Sequence, residues 1–407
     1  GAFSGLTPEK DNTEAVAREP AQLSPSRFAR EYEVPSRPVV VEGVPRAERW
    51  RAVDEWSLDA FETHPTFRDL RMKCGEDDSG RTLRLSLGDF ARYAREDCDG
   101  DDSPLYIFDS GFGDSKRRSA VLAPAFAAPS FLDARPDSDL FELVGEERRP
   151  PYRWILVGPA RSGTAPHVDP LGTAAWNTLL VGRKLWVLFE PGTSRRVATG
   201  AKLVRRDEDD EPINYFVDIL PRVRTAYPSA RRLEFVQYPG ETVFVPAGWW
   251  HAVLNLEHTI GVTQNFVSRA NFDDAWIKTR DSRPHMVCKW FDRLREAHRD
   301  LAARALVLGP GRRNRRLTEL LHKAARKTDG ETASGRRRRR STPDDGDDHD
   351  DSAEEPHFVS PLGSDEEKDA AAGVEKRRLS SSSQAATTMP DPPHKRPRCE
   401  SSEHVAR

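Results

Sequence analysis

The chain has 407 residues and a nearly balanced charge, with 63 Lys and Arg against 66 Asp and Glu and a formal charge of −3 at pH 7. Four scattered cysteines without CxxC spacing exclude a disulfide-dense secreted scaffold and a four-thiolate zinc site, and they fit a reducing compartment. No run approaches the roughly 18 apolar residues of a membrane span, and residues 1–19 show no secretory signal, although a lost leader stays open because residue 1 is not Met.

The first 150 residues have mixed patterns. We expect residues 1–37 to form a helical and extended lead-in and residues 38–150 to pack on the core that follows. Val39–Val41 predicts a short buried strand, Leu87–Glu96 a helix, and Leu105–Phe108 a further strand.

Residues 151–270 are mostly β in pattern, with short apolar or alternating runs that turn residues such as Pro239-Gly240 separate. Many short strands at this spacing indicate a sandwich or a barrel rather than alternating βαβ units. The acidic, unpatterned stretch Arg205–Pro212 predicts a surface loop. The runs are Trp154–Val157, Trp176–Leu180, Lys184–Phe189, Leu233–Gln237, Thr242–Val245, Trp249–Asn255 and Thr259–Phe266.

Residues 271–329 change to a helical period. Trp290, Leu294 and Leu301 lie near helical spacing, and a second apolar set follows between residues 317 and 324. Gly309-Pro310-Gly311 separates the two sets. We therefore predict a pair of helices that pack on the β domain or on another subunit.

Composition changes near residue 330. All nine tryptophans precede residue 291, which places the core in the first part of the chain. Residues 331–407 contain one Phe, Tyr or Trp, Phe358, and carry 13 basic against 17 acidic residues, many of them in blocks. Because so few apolar residues cannot offset the entropy of ordering, we predict that residues 330–407 are a disordered charged tail.

The triplet His167-Val168-Asp169 is the sharpest local motif. Residues i and i+2 of a strand face the same side, so His167 and Asp169 are expected to converge. An imidazole and a carboxylate make two-thirds of the 2-His-1-carboxylate triad of non-haem Fe(II) oxygenases, which leaves positions for a co-substrate and O2. The triplet alone is weak evidence, because most such triplets are structural or lie on the surface.

His251 is the candidate third ligand, 82 residues past Asp169 and next to Trp250 in an apolar run. The alternative is a core histidine whose ring bonds a backbone carbonyl. For a histidine without other candidate metal ligands, the core histidine is the better interpretation.

Lys184 opens an apolar strand. An unpaired buried charge is costly, so this lysine predicts an anionic partner such as the distal carboxylate of 2-oxoglutarate; the alternative is an ammonium in water at the strand mouth. Thr164, Asn177 and Thr263 are polar residues that could assist. The face carrying Thr263 is small and polar, as in a barrel with a wet active site; its other members are Thr259, Gly261 and Asn265.

Several long blocks of sequence resemble the family of Jumonji-domain bifunctional arginine demethylases and lysyl-hydroxylases. The resemblance extends over about residues 25–295, and blocks of this length are highly specific. They are Lys73–Asp77, Asp102–Asp109, Arg148–Trp154, Gly163–Thr173, Pro239–Pro246, Gly248–His251 and Thr263–Phe266.

This resemblance implies a mainly β fold with flanking helices, a double-stranded β-helix of the cupin-like jelly-roll type, which uses Fe(II), 2-oxoglutarate and O2. It implies that iron is bound by His167, Asp169 and His251, which are also the catalytic residues. The residues implied to hold 2-oxoglutarate or line its site are Thr164, Asn177, Lys184, Thr263 and, with a less defined role, Tyr106.

The resemblance also implies an activity, hydroxylation of lysine side chains at C5 in nuclear proteins such as arginine/serine-rich splicing regulators and histones. Demethylation of methylarginine is a second activity implied for the family, together with nuclear localisation, self-association and RNA contact. Three basic tracts suit nuclear import or weak binding to a phosphate backbone, and a solvated polyampholyte tail is the alternative. They are Arg336–Arg340, Lys376–Arg378 and Lys395–Arg398.

Two other functional classes compete with the oxygenase. One is a non-enzymatic jelly-roll scaffold that binds RNA or splicing factors, and the other is a metal-binding cupin enzyme without a co-substrate. The presence of all three candidate ligands together with Lys184 favours the oxygenase.

Overall fold

The strands of the protein hold most of the candidate site residues. The computed structural model describes residues 15–76, 81–113, 115–132, 139–206, 208, 211–311 and 314–333. In chain order the strands of this part are β1 (Ala17–Pro20), β2 (Val39–Glu42), β3 (Arg71–Glu76), β4 (Thr82–Ser86), β5 (Ile107–Asp109), β6 (Arg153–Gly158), β7 (Gly163–His167), β8 (Ala174–Val181), β9 (Lys184–Phe189), β10 (Arg232–Gln237), β11 (Glu241–Val245), β12 (Trp250–Asn255) and β13 (Thr259–Phe266).

Helices precede, interrupt and follow these strands. They are α1 (Pro25–Phe28), α2 (Val44–Ala47), α3 (Ala52–Glu55), α4 (Leu58–Thr63), α5 (Leu87–Glu96), α6 (Lys116–Leu122), α7 (Arg195–Ala198), α8 (Pro212–Asn214), α9 (Leu220–Ala226), α10 (Phe272–Ser282), α11 (Pro284–Ala297), α12 (Arg299–Leu308) and α13 (Arg315–Ala333). Short 3₁₀ turns lie at Cys98–Gly100, Gly111–Gly113, Ala123–Ala125, Leu140–Val144 and Pro170–Gly172, and π-helical turns at Ala29–Glu33 and Tyr215–Ile219.

Two facing sheets form the predicted jelly roll. The larger has the order β1-β2-β11-β8-β13-β6-β5, and the smaller has the order β10-β9-β12-β7. From β6 onward the chain mostly alternates between the two sheets, as a double-stranded β-helix requires. Val40, Val243 and Val245 of the larger sheet pack against Trp186 and Leu188 of the smaller one, so the barrel has an apolar interior. The strands β3 and β4 form a separate ribbon.

The strand β9 is apolar on both faces because it is covered on both sides. Trp186 and Leu188 face the barrel interior, whereas Leu185, Val187 and Phe189 lie in a second cluster with residues of α8, α9 and the turn between them. The bounds predicted for β9, β13 and α5 agree with the structure.

A helical insert between β9 and β10 was not predicted. The sequence pattern predicts mostly β structure from residue 152 to 266, but the segments α7, α8 and α9 lie there. The reason is the apolar outer face of β9, which Ile213, Phe216 and Val223 cover. Of the predicted acidic loop, Glu208 pairs with Arg222 of α9, and residues 207, 209 and 210 lie outside the described part.

The C-terminal region contains more than the predicted pair of helices. Trp290 and Leu301 belong to different helices, α11 and α12, because the chain leaves helical geometry at His298 (φ −139°, ψ 74°). The segment α10 precedes them, and all four helices α10–α13 share one apolar cluster. The last helix, α13, extends to Ala333, past the predicted boundary at 329, and the rest of the predicted tail lies outside the described residues.

Three smaller observations concern Tyr106, the cysteines and the length of the helices. The strand predicted at Leu105–Phe108 is β5 and begins only at Ile107, so Tyr106 lies immediately before it. The described cysteines Cys74, Cys98 and Cys288 are buried and unpaired. Within the described ranges, none of the helices combines the length and the apolar character that crossing a membrane demands.

Candidate metal centre and adjoining pocket

The three predicted ligands meet at one end of the small sheet. His167 at the end of β7 and His251 near the start of β12 are direct partners in an antiparallel pair, and their ring centroids lie 4.1 Å apart. One ligand atom each from His167, Asp169 and His251 can be chosen so that all lie within 4.8 Å of one another. Nε2 of His251 is 4.0 Å from Oδ1 of Asp169. Two imidazoles and one carboxylate at this spacing can hold a divalent transition metal.

Asp169 lies outside the strand that carries His167, whereas the prediction placed both residues in one strand. The strand β7 ends at His167, and Asp169 has extended backbone (φ −57°, ψ 138°) just before the turn Pro170–Gly172. The two side chains converge although only one of them is in a strand. Leu171 in this turn has a positive φ of 55°, a conformation that is costly for a residue with a branched side chain.

The two imidazoles are oriented by backbone carbonyls. Nδ1 of His167 lies 2.8 Å from the carbonyl oxygen of Ala165, and Nδ1 of His251 lies 3.2 Å from that of Trp249. Because a carbonyl only accepts, Nδ1 donates in both rings, which leaves Nε2 as the metal-binding nitrogen. Burial, with a contribution from His251, lowers the pKa of His167 to about 3, so this ring is neutral at physiological pH, as a ligand must be.

The carboxylate of Asp169 carries the clearest sign that a cation belongs here. Its Oδ2 is buried and has no hydrogen-bond partner among the described residues. Burial raises the pKa of Asp169, while the charge of His251, a hydrogen bond from Asn265 and the charge of Lys278 act in the opposite direction. A buried carboxylate oxygen without a partner is expensive, and a metal ion between Asp169 and the two histidines would satisfy it.

A buried ammonium group lies on the inner face of the same small sheet. Lys184 is only 1% exposed, and its Nζ donates to the hydroxyl of Tyr106 over 3.2 Å. Among the described residues no carboxylate forms a salt bridge with it, and burial lowers its pKa to about 7. The predicted alternative, an ammonium in water at the strand mouth, is wrong because the side chain is enclosed.

Asn255 belongs to this pocket and was not predicted. It is the direct partner of Lys184 in the β12–β9 pairing, its Nδ2 donates to Ser162 over 2.8 Å, and its Oδ1 is buried without a partner among the described residues. A side chain at Gly158 would place Cβ 2.5 Å from the Tyr106 ring and 2.9 Å from Asn255 Nδ2, so glycine is required there. The sequence offers one signal for Asn255, a spacing of four residues that puts it on the same strand face as His251; its place beside Lys184 depends on the β12–β9 pairing.

The remaining candidates line the barrel interior from both sheets. Asn177 of β8 and Thr263 of β13 are direct partners, and Oδ1 of Asn177 is buried without a partner among the described residues. Thr263 donates its hydroxyl to the Trp176 carbonyl over 2.8 Å. Thr164 of β7 pairs with Val253, between His251 and Asn255 on the same face. Burial raises the pKa of Tyr106 well above its usual range, so its phenol is neutral.

Comparison with known proteins adds an independent line of evidence. A family model described as JmjC domain, hydroxylase matches residues 154–266. The chain is 39% identical to the bifunctional arginine demethylase and lysyl-hydroxylase psr-1 of Caenorhabditis elegans over 298 residues, which is 73% of this chain and 71% of that protein.

More distant relatives carry related names. The chain is 34% identical over 254 residues to the arginine-specific demethylase JMJ22 of Arabidopsis thaliana, covering 61% of this chain and 45% of the relative. It is 27% identical over 276 residues to the 2-oxoglutarate and iron-dependent oxygenase JMJD4 of Homo sapiens, covering 64% and 63%. The JmjC match spans the three metal-binding candidates and Lys184, and leaves Tyr106 outside it.

Proposed function

The chain belongs to the JmjC-domain bifunctional arginine demethylases and lysyl-hydroxylases, and from this premise we propose that it hydroxylates lysine side chains at C5 in nuclear proteins. The enzyme is an iron- and 2-oxoglutarate-dependent oxygenase. Arginine/serine-rich splicing regulators and histones are the proposed substrates, and demethylation of methylarginine is a second proposed activity. The nematode relative, a bifunctional arginine demethylase and lysyl-hydroxylase, supports both reactions.

Bound iron and 2-oxoglutarate supply the oxidation, in which O2 is consumed, 2-oxoglutarate becomes succinate and CO2, and an oxygen atom is transferred to the substrate carbon. The protein's own residues position these groups. His167 and His251 present Nε2 because their Nδ1 atoms donate to carbonyls, and Asp169 offers an otherwise unpartnered oxygen. These three residues would hold iron, and a metal bound by only three protein donors would have room for the co-substrate and O2.

Lys184 is the residue that we propose binds the far carboxylate of 2-oxoglutarate. The carboxylate provides the charge that this enclosed ammonium otherwise lacks, and Tyr106, already within 3.2 Å of Nζ, adds a hydroxyl. Asn177, Thr164, Thr263 and the newly identified Asn255 add neutral hydrogen-bonding groups on the barrel wall. These contacts orient the co-substrate and exclude water from the site.

One observation carries this proposal, the meeting of an unpartnered Asp169 oxygen with two oriented imidazoles beside a buried ammonium. A scaffold with a decayed metal site has no reason to keep two such costly groups buried. In a cupin enzyme without a co-substrate, no anion would offset the cost of burying the Lys184 ammonium.

Replacing one ligand tests the metal assignment. In the His167→Ala variant we expect succinate release from 2-oxoglutarate with a lysine-rich peptide to fall at least a hundredfold, because two ligands remain for iron. His322→Ala, which removes an exposed histidine of α13, is the matched control and should keep wild-type turnover. Equal turnover in wild type and His167→Ala would end the ligand assignment.

The product distinguishes the two proposed reactions. Mass spectrometry of a lysine-containing peptide should show one added oxygen that is retained, whereas a methylarginine peptide that is demethylated loses a methyl group and yields formaldehyde. If formaldehyde is released but the lysine peptide gains no oxygen, the proposed lysine hydroxylation is wrong. An iron-dependent loss of 2-oxoglutarate in either case supports the shared chemistry.

We further propose a nuclear location, directed by basic tracts such as Arg336–Arg340, together with self-association and RNA contact. These tracts lie outside the described residues. Nuclear entry of a tagged chain that persists after the tracts are changed to glutamine would contradict the proposed import role. RNA affinity that does not fall with salt would contradict a tail contact of purely electrostatic origin.

A further inference from the structure

A cleft rich in arginine lies on the N-terminal part of the protein, outside the catalytic barrel. It has a volume of about 320 Å³ and opens between the start of β3, the strand β4 and the start of α6. Its lining is formed by Asp69, Leu70, Arg71, Arg84, Ser115, Arg117 and Arg118. No residue of the oxygenase site takes part in it.

The carboxylate of Asp109 underlies this arginine cleft and fixes two of its side chains. Asp109 is 1% exposed and accepts hydrogen bonds from the backbone N–H of Lys73 at 2.7 Å and from Arg118 at 3.1 Å. Arg84 lies 3.6 Å from the same oxygen. Side chains held in this way lose little further rotamer freedom when they bind a ligand.

The remaining guanidinium groups are less constrained. Arg71 donates to the carbonyl oxygen of Arg84 over 2.7 Å, a neutral partner. Arg117 has a side chain that is 62% exposed, and its contact with Asp69 is long, at 3.9 Å. Among the described residues that line or underlie the cleft, four arginines stand against the carboxylates of Asp69 and Asp109, an excess of two positive charges.

We propose that the arginine cleft binds a phosphomonoester dianion, a phosphorylated serine or threonine side chain of a partner polypeptide. A phosphomonoester carries about −1.5 to −2 charges and three acceptor oxygens at pH 7, which matches the excess charge and the planar donor pairs of several arginines. A carboxylate brings half of that charge. A nucleic-acid backbone has one charge per phosphate and is bound along an extended basic track, whereas these arginines converge on one compact cleft.

The placement of the cleft links it to the enzyme. Asp109 ends the strand β5, and Tyr106 of the 2-oxoglutarate pocket lies three residues before it, a separation of roughly 10 Å along an extended chain. A phosphorylated segment bound in the cleft is therefore held on the same molecule beside the strand that borders the pocket. The inference does not depend on the proposed substrate, because binding is measured without turnover.

The test measures binding of a fluorescein-labelled phosphoserine peptide to the full-length protein by fluorescence anisotropy. We expect the unphosphorylated peptide to bind at least tenfold more weakly, and inorganic phosphate to compete. Arg117→Gln should weaken binding of the phosphopeptide about tenfold, since one charge-assisted contact of about 1.5 kcal/mol corresponds to that factor. Arg51→Gln is the matched control. Arg51 lies immediately before α3, outside the cleft, and its side chain is similarly exposed, at 59%, so its replacement should leave binding of the phosphopeptide unchanged.

Succinate release with an unphosphorylated peptide provides the control for folding, and Arg117→Gln should match wild type in that assay. Three results would overturn the inference. They are equal affinity for the two peptides, an equal loss in the Arg51→Gln variant, or a single-stranded RNA that binds more tightly than the phosphopeptide and depends on Arg117 to the same extent.

Discussion

Lys184 is a buried charge whose cost to stability the proposed binding of 2-oxoglutarate would offset. Its ammonium is enclosed in the barrel with a tyrosine hydroxyl as its hydrogen-bond acceptor, and burial lowers its pKa from 10.5 to about 7. Each unit of pKa shift corresponds to about 1.4 kcal/mol between the two protonation states. The protein without co-substrate therefore bears a cost that binding of a carboxylate would offset.

Replacing Lys184 with methionine should separate these two effects. Lys184→Met removes the charge and keeps a similar volume, so we expect the free energy of unfolding without co-substrate to rise by on the order of 2 kcal/mol at pH 7. Because the folded pKa is lowered, the penalty of the lysine is complete below pH 7 and declines as pH rises from 7 toward 10.5. The gain should therefore be smaller at pH 9.

Urea unfolding of wild type and variant at both pH values measures that gain. Succinate release by Lys184→Met should be lost, because the far carboxylate of 2-oxoglutarate can no longer form an ion pair with the Lys184 ammonium. A variant that is less stable than wild type at pH 7, or that retains turnover at low 2-oxoglutarate concentration, contradicts this assignment.

Asn255 should act on the co-substrate and not on the metal. Removing its amide in Asn255→Ala takes one neutral hydrogen-bonding group away from the Lys184 region, so we expect KM for 2-oxoglutarate to rise about tenfold, as for loss of one hydrogen bond to a charged group. Metal affinity should stay within twofold of wild type. Steady-state kinetics and calorimetric metal titration check the two values, and a parallel loss of both would indicate a general structural role.

At this scale the sequence could predict residues with a strong chemical signature. The sequence singles out His167, Asp169 and His251 as candidates because imidazoles and a carboxylate near apolar segments require an explanation, and it singles out Lys184 because a cation opens an apolar strand; the structure brings the first three together. Asn255 was missed because an asparagine at a strand end is ordinary, and its position beside Lys184 depends on the β12–β9 register. Register across distant strands is not contained in a local pattern.

The element that holds Asp169 in place is the helix α10. Asn271, immediately before α10, donates to the carbonyl of Gly172 over 2.9 Å and accepts from the backbone N–H of Ser268 over 2.7 Å. A Cβ at Gly172 would lie 2.8 Å from the backbone nitrogen of Ala275, so the helix is in close contact with the turn that follows Asp169. Helix and turn together fix the position of the carboxylate.

Asn271→Ala should therefore weaken metal binding. We expect a loss of about 10- to 100-fold in affinity for Co(II), as for other groups that orient metal ligands. Asn314→Ala is the matched control, because Asn314 likewise bonds a carbonyl, that of Pro284 at 3.1 Å, and the N–H of Leu317 at 2.9 Å. Both variants should lose about 1 kcal/mol of stability through their lost hydrogen bonds, and only the first should lose metal affinity. Equal Co(II) affinities of the two variants would show that Asn271 does not help to position the metal ligands.

Elements were predictable where their own local pattern is continuous. The strands β9 and β13 and the helix α5 have the predicted bounds because their patterns are unbroken and turn residues flank them. The segments α7–α9 escaped prediction because they are short, and their apolar residues match the outer face of β9, a partner known only after folding. The break between α11 and α12 at His298 has no glycine or proline to mark it.

At the scale of the whole molecule, a buried ion pair joins the barrel to the C-terminal helices. Asp139 accepts hydrogen bonds from Arg149, from the N–H of Phe141 and from the N–H of Val267, which follows β13. Arg149 also donates to the carbonyl of Asn265 over 3.1 Å. The adjoining Leu140 carbonyl accepts from Trp290 of α11 over 2.9 Å. Asp139 thus connects the strand that carries Thr263 and Asn265 to the helical cluster.

Breaking this pair should cost far more than breaking a surface pair. Asp139→Ala leaves the guanidinium of Arg149 buried without its carboxylate, and we expect a loss of about 3 to 5 kcal/mol in the free energy of unfolding. Asp273→Ala breaks the pair with Arg304, whose side chains are 45% and 48% exposed, and should cost at most about 1 kcal/mol. The double variant Asp139→Leu/Arg149→Met should recover most of the loss, since apolar groups of similar volume replace both charges. Denaturant unfolding of the double-mutant cycle measures the coupling, and equal losses for Asp139→Ala and Asp273→Ala would show that the buried pair does not join the two parts of the molecule.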